Sequence, residues 1–239
     1  MTATLHWIKT TDPPDHFPDP NQALIEPDGL LAVGGDLSVE RLLVAYRHGI
    51  FPWYQDGQPI LWWSPDPRAV LFPAELHVSR SLRRTLRNNR FTVSIDQDFA
   101  GVIAGCARGR SDTGTWITVD MEHAYQQLHD TGHAHAVEVW RDEQMVGGLY
   151  GINIGRVFFG ESMFSRQTDA SKVALVQLIH ICRELCIDLV DCQIASTHLA
   201  SLGSRQISRT EFLKHLNRST QFPSPTGWAR AKLETRPLA

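Results

Sequence analysis

The chain has 239 residues, of which 42% are hydrophobic and 21% are charged, and its formal net charge is −3 at pH 7. These proportions are ordinary for a globular protein with a buried core, and the negative charge argues against non-specific wrapping of nucleic acid. No apolar run approaches the roughly 20 residues that a membrane span requires, and the first residues lack the pattern of a secretory signal. We therefore expect a soluble, cytoplasmic protein.

Cysteine and histidine spacing does not indicate a metal site. The four cysteines contain no CxxC pair, which argues against a zinc ribbon or a redox dithiol; they are Cys106, Cys182, Cys186 and Cys192. His133 and His135 would share one face of a strand, but no third ligand stands at a usual spacing. No bound metal is expected.

The first 66 residues are rich in proline, glycine and tryptophan. One helix is predicted there, because Ser38 is a good N-cap and Gly49 a natural stop. The stretch 49–67 that follows contains four prolines and many aromatic residues. We expect neither regular helix nor central strand in this stretch. It is predicted to be a rigid, aromatic-lined connection between two domains.

From residue 69 onward, short helices and strands follow one another. The predicted helices cover residues 79–88, 97–108 and 118–129, and the predicted strands cover 91–95, 135–140, 144–152 and 156–160. Then come a long helix capped by Ser171, a buried strand over 187–194, and a helix that begins with the capping box Ser208–Glu211. An antiparallel meander, a helix and a strand that joins the same sheet form an α+β plan, which the GNAT-like acyltransferases share. The tail after Ser219 is expected to be loosely held.

Two polar residues end the buried strand 187–194. Asp191 and Gln193 alternate with their neighbours, so they are expected to share one face of the strand. Burying a carboxylate and an amide is costly unless other groups satisfy them. They either cap the loop that follows or form a functional site, and the residues alone leave both interpretations open.

A second candidate is the strand end 158–164, which places Glu161 among aromatic residues. The segment differs from the GxSxG motif of a serine nucleophile, because Phe164 stands where that motif has glycine. It either enters a simple turn or lines an apolar pocket with one polar anchor.

Four arginines lie on one face of the helix predicted over 79–88: Arg80, Arg83, Arg84 and Arg87. Like charges at this spacing weaken a helix unless an anion neutralises them. Arginine suits phosphate, so we favour a nucleic-acid backbone as the partner over a merely solvated face. Trp53 and Trp116 stand beside glycine- or proline-rich turns, where a ring can be exposed for stacking on a base.

Together these segments resemble the leucyl/phenylalanyl-tRNA–protein transferases. The matching stretches are GLLAVGGDLS (29–38), GIFPWY (49–54), ILWWSPDPRAVL (60–71), GTWIT (114–118), GHAHAVEVW (132–140), GESMFS (160–165), DCQ (191–193) and ASLG (200–203). They cover most of the chain in the family's order, and ILWWSPDPRAVL is too unusual to match by chance. The resemblance implies an α+β protein with a small N-terminal α/β domain over residues 1–66 and a larger GNAT-like acyltransferase domain over residues 67–239.

The resemblance also implies an activity. The family moves Leu or Phe, and less readily Met, from aminoacyl-tRNA to proteins that begin with Arg or Lys, which marks those proteins for degradation by the N-degron route. Asp191 and Gln193 match the catalytic pair, and Trp53 and Trp116 match residues around the 3′-terminal adenosine of the tRNA. The arginine face of helix 79–88 matches the surface for the acceptor stem. The residues that match the aminoacyl side-chain pocket are Leu149, Phe158, Gly160, Glu161, Leu175, Leu178 and Val190.

Two positions differ from the family pattern. Leu178 and Cys182 stand where the family can carry aromatic residues. Because an apolar pocket selects by the shape of its wall, these positions bear on the preference between Leu and Phe.

The implied reaction requires no cofactor. The aminoacyl ester is already activated, and the attacking α-amine has a pKa of roughly 7.7–8.0. A metal, a nucleotide triphosphate and a covalent intermediate are therefore unnecessary. A neutral amide binds protons poorly, which favours a positioning role for Gln193, with the proton leaving through Asp191, water or the ribose hydroxyl. We expect a monomer that has no membrane partner.

Two other interpretations compete with this one. An acetyl-CoA-dependent acetyltransferase on the same fold would carry a glycine-containing pyrophosphate loop before the long helix, whereas this chain has SRQTDASK (165–172) there. A non-catalytic tRNA-binding module would explain the arginine face, but it would leave the buried Asp191 and Gln193 without a purpose.

Overall fold

The structure is a computed structural model, and it describes residues 5–88, 90–108 and 117–228. Within these ranges the chain forms two β-sheets and seven α-helices. No helix in the described part of the chain is long and apolar enough to cross a bilayer. The α+β class predicted from the sequence is confirmed.

The first sheet is built entirely from the N-terminal part of the chain. Its strands are β1 (His6–Ile8), β2 (Leu30–Gly34), β3 (Phe51–Pro52) and β4 (Leu61–Trp63). They lie in the order β1-β2-β4-β3; β1 and β2 are parallel, and the other neighbours are antiparallel. The first helix, α1 (Val39–Arg47), connects β2 to β3.

The expectation for residues 49–67 is wrong, because this stretch supplies two strands, and β4 is central in its sheet. The prolines are compatible with this arrangement. Pro52 lies in the edge strand β3, and the central strand β4 contains no proline. Trp62 in β4 is fully buried, and its indole nitrogen donates to the Gly34 carbonyl at 2.8 Å. Several aromatic residues of this stretch therefore lie in strands of the four-stranded sheet.

The second sheet has seven strands: β5 (Arg68–Leu71), β6 (Thr92–Ile95), β7 (Ala134–Arg141), β8 (Gln144–Ile154), β9 (Val157–Ser165), β10 (Leu189–Gln193) and β11 (Arg205–Ile207). Their order is β11-β5-β10-β9-β8-β7-β6. Strands β6 to β9 form an antiparallel meander, and β10 lies parallel to β9 and antiparallel to β5.

Six helices accompany this sheet: α2 (Arg80–Arg87), α3 (Phe99–Arg108), α4 (Val119–Asp130), α5 (Ala170–Glu184), α6 (Thr197–Ala200) and α7 (Arg209–Ser219). The long helix α5 joins the meander to β10, so the predicted order of meander, helix and strand is confirmed. This is the plan expected of a GNAT-like acyltransferase domain.

The local helix signals were mostly read correctly. Thr118 and Ser208 cap α4 and α7 with their hydroxyl groups, and Gly49 ends α1 with a positive φ of 74°. The cap of α5 was read wrongly: the N-cap is Asp169, whose φ of 70° is left-handed, and Ser171 lies inside the first turn. Aspartate tolerates this conformation better than most residues.

The apolar core joins the two sheets. Leu42, Tyr46 and Trp62 from the N-terminal part belong to the same buried cluster as Tyr125 and Phe159 from the larger part. A second cluster lies around α5 and α2. The four-stranded sheet ends at residue 63 and the seven-stranded sheet begins at residue 68, so the expected boundary after residue 66 falls between the sheets but does not separate their cores.

The chain after Ser219 is held more firmly than expected, at least as far as Trp228. The Ser224 hydroxyl accepts a hydrogen bond from the Gly155 amide at 2.8 Å, and Arg156 lies 3.8 Å above the ring of Phe222. Trp228 itself is only 2% exposed. The expectation of a loose tail is therefore wrong for residues 220–228, and residues 229–239 lie outside the described part.

Candidate active site

A cavity opens where β9 and β10 stop pairing. The two parallel strands pair as far as Phe159 and Asp191. Beyond that point each strand carries an extra residue relative to its other neighbour, Glu161 in β9 and Cys192 in β10. Bulges of this kind interrupt the ladder and re-aim side chains. The bulges therefore bring the polar ends of both strands to the wall of one cavity.

The cavity has a volume of about 470 Å³, a size suited to a small-molecule group. All seven residues predicted for the aminoacyl side-chain pocket line it: Leu149, Phe158, Gly160, Glu161, Leu175, Leu178 and Val190. Asp191, Gln193 and Trp53 also contribute to its wall. Cys182, the other position that differs from the family pattern, is buried outside the cavity wall. The structure thus brings most of the predicted site residues together.

Asp191 is fully buried, and its carboxylate is held by Arg68 of β5. The guanidinium donates from Nε to Oδ1 at 2.9 Å and from an Nη atom to Oδ2 at 2.6 Å. It also donates to the Gly49 carbonyl at 3.2 Å, and it lies between the rings of Phe51 and Phe212, 4.7 Å from each. A bidentate pair of this kind fixes the orientation of both partners. Both carboxylate oxygens of Asp191 are therefore engaged by one guanidinium.

Gln193 is fixed by its backbone and its side chain. Its φ of 61° is left-handed, a conformation that is costly for a residue with a side chain. Its amide N–H donates to Asp191 Oδ1 at 2.9 Å, which offsets part of that cost. Its side-chain Nε2 donates to Glu161 Oε1 at 2.9 Å. This bond leaves the side-chain oxygen of Gln193 as the acceptor available to the cavity.

Glu161 also accepts hydrogen bonds from two tyrosines. The Tyr46 hydroxyl donates to Oε1 at 2.8 Å, and the Tyr125 hydroxyl donates to Oε2 at 2.7 Å. The two hydroxyl oxygens are themselves 2.6 Å apart. The three groups thus make three short oxygen contacts, but the two hydroxyl groups supply only two hydrogens. A proton on Glu161 Oε1 would supply the third: it would donate to Tyr46, whose hydroxyl would then donate to Tyr125 instead.

Burial shifts the titration of this cluster. The pKa of Glu161 is raised from 4.5 to about 7, chiefly by desolvation; the nearby charge of Asp191 adds to the rise, and hydrogen bonds from Tyr125, Tyr46 and Gln193 oppose it. Burial and the negative charge of Glu161 raise the pKa of both tyrosines well above its usual value. Near neutral pH, Glu161 is therefore the group in this cluster that changes its protonation state.

The thiol of Cys192 is poorly suited to nucleophilic catalysis. It lines the cavity, but burial and the charge of Asp191 raise its pKa well above the usual range. A thiol that stays protonated is a weak nucleophile. Two residues of the wall, Ser162 and His198, each carry a buried polar atom, Oγ and Nε2, that has no hydrogen-bond partner among the described residues.

Most of the residues predicted to contact nucleic acid lie in the described part of the chain. The four arginines of α2 are exposed, and no ion pair within the described ranges involves them; they are Arg80, Arg83, Arg84 and Arg87. Leu82 and Leu86 face inward, as the helical spacing predicted. Trp53 is 40% exposed at the cavity wall. Trp116 lies outside the described residues.

Three residues of the site were not predicted from the sequence: Arg68, Tyr46 and Tyr125. A buried carboxylate such as Asp191 requires a cationic partner, and Arg68 is an isolated charge beside the apolar run AVL, so that signal was present. The tyrosines gave no comparable signal, because Tyr46 fits the apolar face of α1 as well as any core residue. Their partner, Glu161, is distant in sequence from both.

Comparisons with known proteins identify the family. The family model for leucyl/phenylalanyl-tRNA protein transferase matches residues 70–217, and the model for the N-terminal domain of that family matches residues 35–66. A leucyl/phenylalanyl-tRNA–protein transferase of Pseudomonas aeruginosa is 58% identical over 224 residues, which cover 93% of this chain and 98% of that protein. One from Ectopseudomonas mendocina is 59% identical over 213 residues, which cover 89% and 94% of the two chains.

Among solved structures, a GCN5-related N-acetyltransferase from Kribbella flavida is similar at a TM-score of 0.37 and 15% identity, covering 70% of this chain and 60% of its own. The family model spans more than half of the chain, and the relatives match it over nearly their whole length. The chain belongs to the leucyl/phenylalanyl-tRNA–protein transferase family.

Proposed function

We propose that the protein transfers Leu or Phe, and less readily Met, from aminoacyl-tRNA to the α-amino group of proteins that begin with Arg or Lys. The observation that carries this proposal is the cavity between β9 and β10. Its largely apolar wall adjoins the fixed amide of Gln193, so a side chain and a reacting ester fit beside each other. In this proposal Asp191 and Gln193 form the catalytic centre.

The side-chain oxygen of Gln193 accepts a hydrogen bond from the attacking amine. Glu161 holds the amide nitrogen and Asp191 holds the backbone N–H, so the oxygen is presented to the cavity in one orientation. The attack forms a C–N bond and breaks the ester C–O bond. Alignment of the amine with an already activated ester supplies much of the rate enhancement.

The ion pair with Arg68 makes Asp191 a poor choice as the base. Both of its oxygens accept from the guanidinium, and one also accepts from the Gln193 amide. Protonating it would weaken a buried bidentate pair. Of the three routes considered from the sequence, we therefore retain water and the ribose hydroxyl. By either route the proton passes from the amine to the leaving ribose oxygen, and Asp191 acts as an anchor.

In this proposal two groups of residues bind the tRNA. We assign Trp53 and Trp116 to the 3′-terminal adenosine, because the exposed ring of Trp53 at the cavity wall can stack on a base. The four exposed arginines of α2 are assigned to the phosphates of the acceptor stem.

The biological consequences follow from the family. Addition of Leu or Phe marks the acceptor for degradation by the N-degron route. We propose that the protein acts as a cytoplasmic monomer without a bound cofactor. We also propose that the chain is divided into residues 1–66 and 67–239, and that these two parts share one apolar core.

A direct transfer assay tests the proposal. The protein is incubated with Leu-tRNA and a peptide that begins with Lys, and the peptide mass is measured. One added leucyl residue is expected, and none on a peptide that begins with Asp. Acetylation of the peptide from acetyl-CoA would favour the acetyltransferase interpretation, and tRNA binding without transfer would favour the binding module.

A further inference from the structure

One wall of the cavity rests on a part of the chain far from the site in sequence. Phe158 lines the cavity, and its ring lies against the indole of Trp228 with the centroids 5.5 Å apart. Both side chains are buried. The position of this wall therefore depends on the C-terminal segment 220–228.

Phe158 is also confined from the neighbouring strand. It packs over Gly151 of β8, where a Cβ atom would lie only 2.6 Å from Phe158 Cε1. Glycine at this position lets the ring lie flush against the sheet. With Gly151 and Trp228 both in contact, the ring has little freedom to move.

Trp228 is fixed in turn by a histidine. Its indole stacks on the imidazole of His135, with a centroid distance of 4.2 Å and an interplanar angle of 8°. The imidazole is hydrogen-bonded through Nδ1 to Asp96 at 2.7 Å. A contiguous series of side chains thus connects Asp96 to the cavity wall.

The rest of the segment is fastened to the turn between β8 and β9. Ser224 accepts from the Gly155 amide at 2.8 Å, and the Phe222 ring lies under Arg156 at 3.8 Å. These contacts place Trp228 without touching the cavity. The segment therefore has its own anchors, and its ring contact with the cavity wall is made by Trp228.

We propose that residues 220–228 form a strap that sets the depth of the aminoacyl pocket through Trp228 and Phe158, and with it the preference between Leu and Phe. This inference rests on the proposed function. An apolar pocket discriminates one methylene by roughly 10- to 200-fold when its wall is held in place. A wall free to retreat would accept the larger phenyl group more readily.

The test is the ratio of kcat/KM for Leu-tRNA to that for Phe-tRNA. In the Trp228→Ala variant, Phe158 can withdraw into the vacated space, and the ratio is expected to fall by roughly 10-fold. Trp228→Phe, which keeps a ring behind Phe158, should stay within about threefold of the wild type. Trp228→Leu serves as a milder substitution if the alanine variant does not fold, and its ratio should fall by about threefold.

Two controls separate pocket depth from stability. Ile187→Ala removes a buried side chain of the same apolar cluster outside the cavity wall, and should leave the ratio unchanged. In a Phe158→Ala background, adding Trp228→Ala should not change the ratio further, because the Phe158 ring through which Trp228 acts has already been removed. An equal loss of kcat/KM for both tRNAs in the Trp228 variants would overturn the proposal that residues 220–228 set the depth of the pocket. Failure of the wild type to transfer either residue would instead overturn the proposed function.

Discussion

Arg68 and Asp191 form a fully buried ion pair at the centre of the site. Removing the cation leaves an uncompensated buried carboxylate, which costs about 3–5 kcal/mol. Arg68→Met is therefore expected to lower the free energy of unfolding by this amount, as measured by urea denaturation, and to abolish transfer. The matched control is Arg205→Met, which removes an exposed pair with Glu75 and should cost no more than about 1 kcal/mol. Equal stability of the two variants would contradict the assignment.

Glu161 makes stability depend on pH. Its pKa is raised from 4.5 to about 7 in the folded protein, so the folded state binds a proton more tightly than the unfolded state. The resulting stabilisation is fully present below about pH 4.5 and is lost as the pH rises through about 7, with an upper limit of about 3 kcal/mol. Glutamine mimics the protonated form and cannot ionise.

We therefore expect Glu161→Gln to become more stable relative to the wild type as the pH rises from 5 to 8. Urea denaturation of both proteins at several pH values measures this difference and cancels the contribution of other groups. A constant difference across this range would show that Glu161 does not titrate there.

Among the helices and strands, α2 allows the most specific prediction about tRNA binding. Its four arginines are exposed, so replacing them should not damage the core. Each Arg→Gln change is expected to raise the KM for aminoacyl-tRNA, to leave kcat unchanged, and to reduce the salt dependence of binding by about one unit of slope per phosphate contact. Arg141→Gln, an exposed arginine on β7, is the control. An unchanged salt dependence in all four variants would show that the arginines of α2 face solvent and do not contact the tRNA.

Elements with local signals could be predicted from the sequence, and elements that depend on distant partners could not. Thr118 and Ser208 could be predicted as N-caps of their helices, because an N-cap depends only on the few residues that follow it. The role of β4 as a central strand depends on pairing with β2 and β3, which no local pattern contains. Ser171 was predicted to cap α5, but Asp169 is the cap. The left-handed backbone of Asp169 is set by the turn that leads into the helix.

The same distinction holds for the candidate site. The polar pair Asp191 and Gln193 stood out because polar groups at the end of a buried strand require a reason. The cavity itself depends on two bulges in different strands, and Arg68 meets Asp191 across 123 residues. The sequence therefore predicted the residues of the site better than their partners.

For the whole molecule, the two sheets are expected to unfold together. Tyr46 from the N-terminal part donates to Glu161 in the larger part, and both parts share one apolar cluster. Urea unfolding followed by tryptophan fluorescence and by far-UV circular dichroism should give coincident curves. Two separated transitions would show that the N-terminal part is an independent unit.

We propose above that the fixed amide of Gln193 promotes aminolysis of an aminoacyl ester in the cavity between β9 and β10. The most direct measurement is the single-turnover rate of leucyl transfer from Leu-tRNA to a Lys-initiated peptide, compared between the wild type and Gln193→Ala. We predict a loss of at least about 100-fold in the variant, in the range seen when a positioning group is removed, with unchanged affinity for tRNA. A variant that transfers at the wild-type rate would show that Gln193 does not promote the reaction.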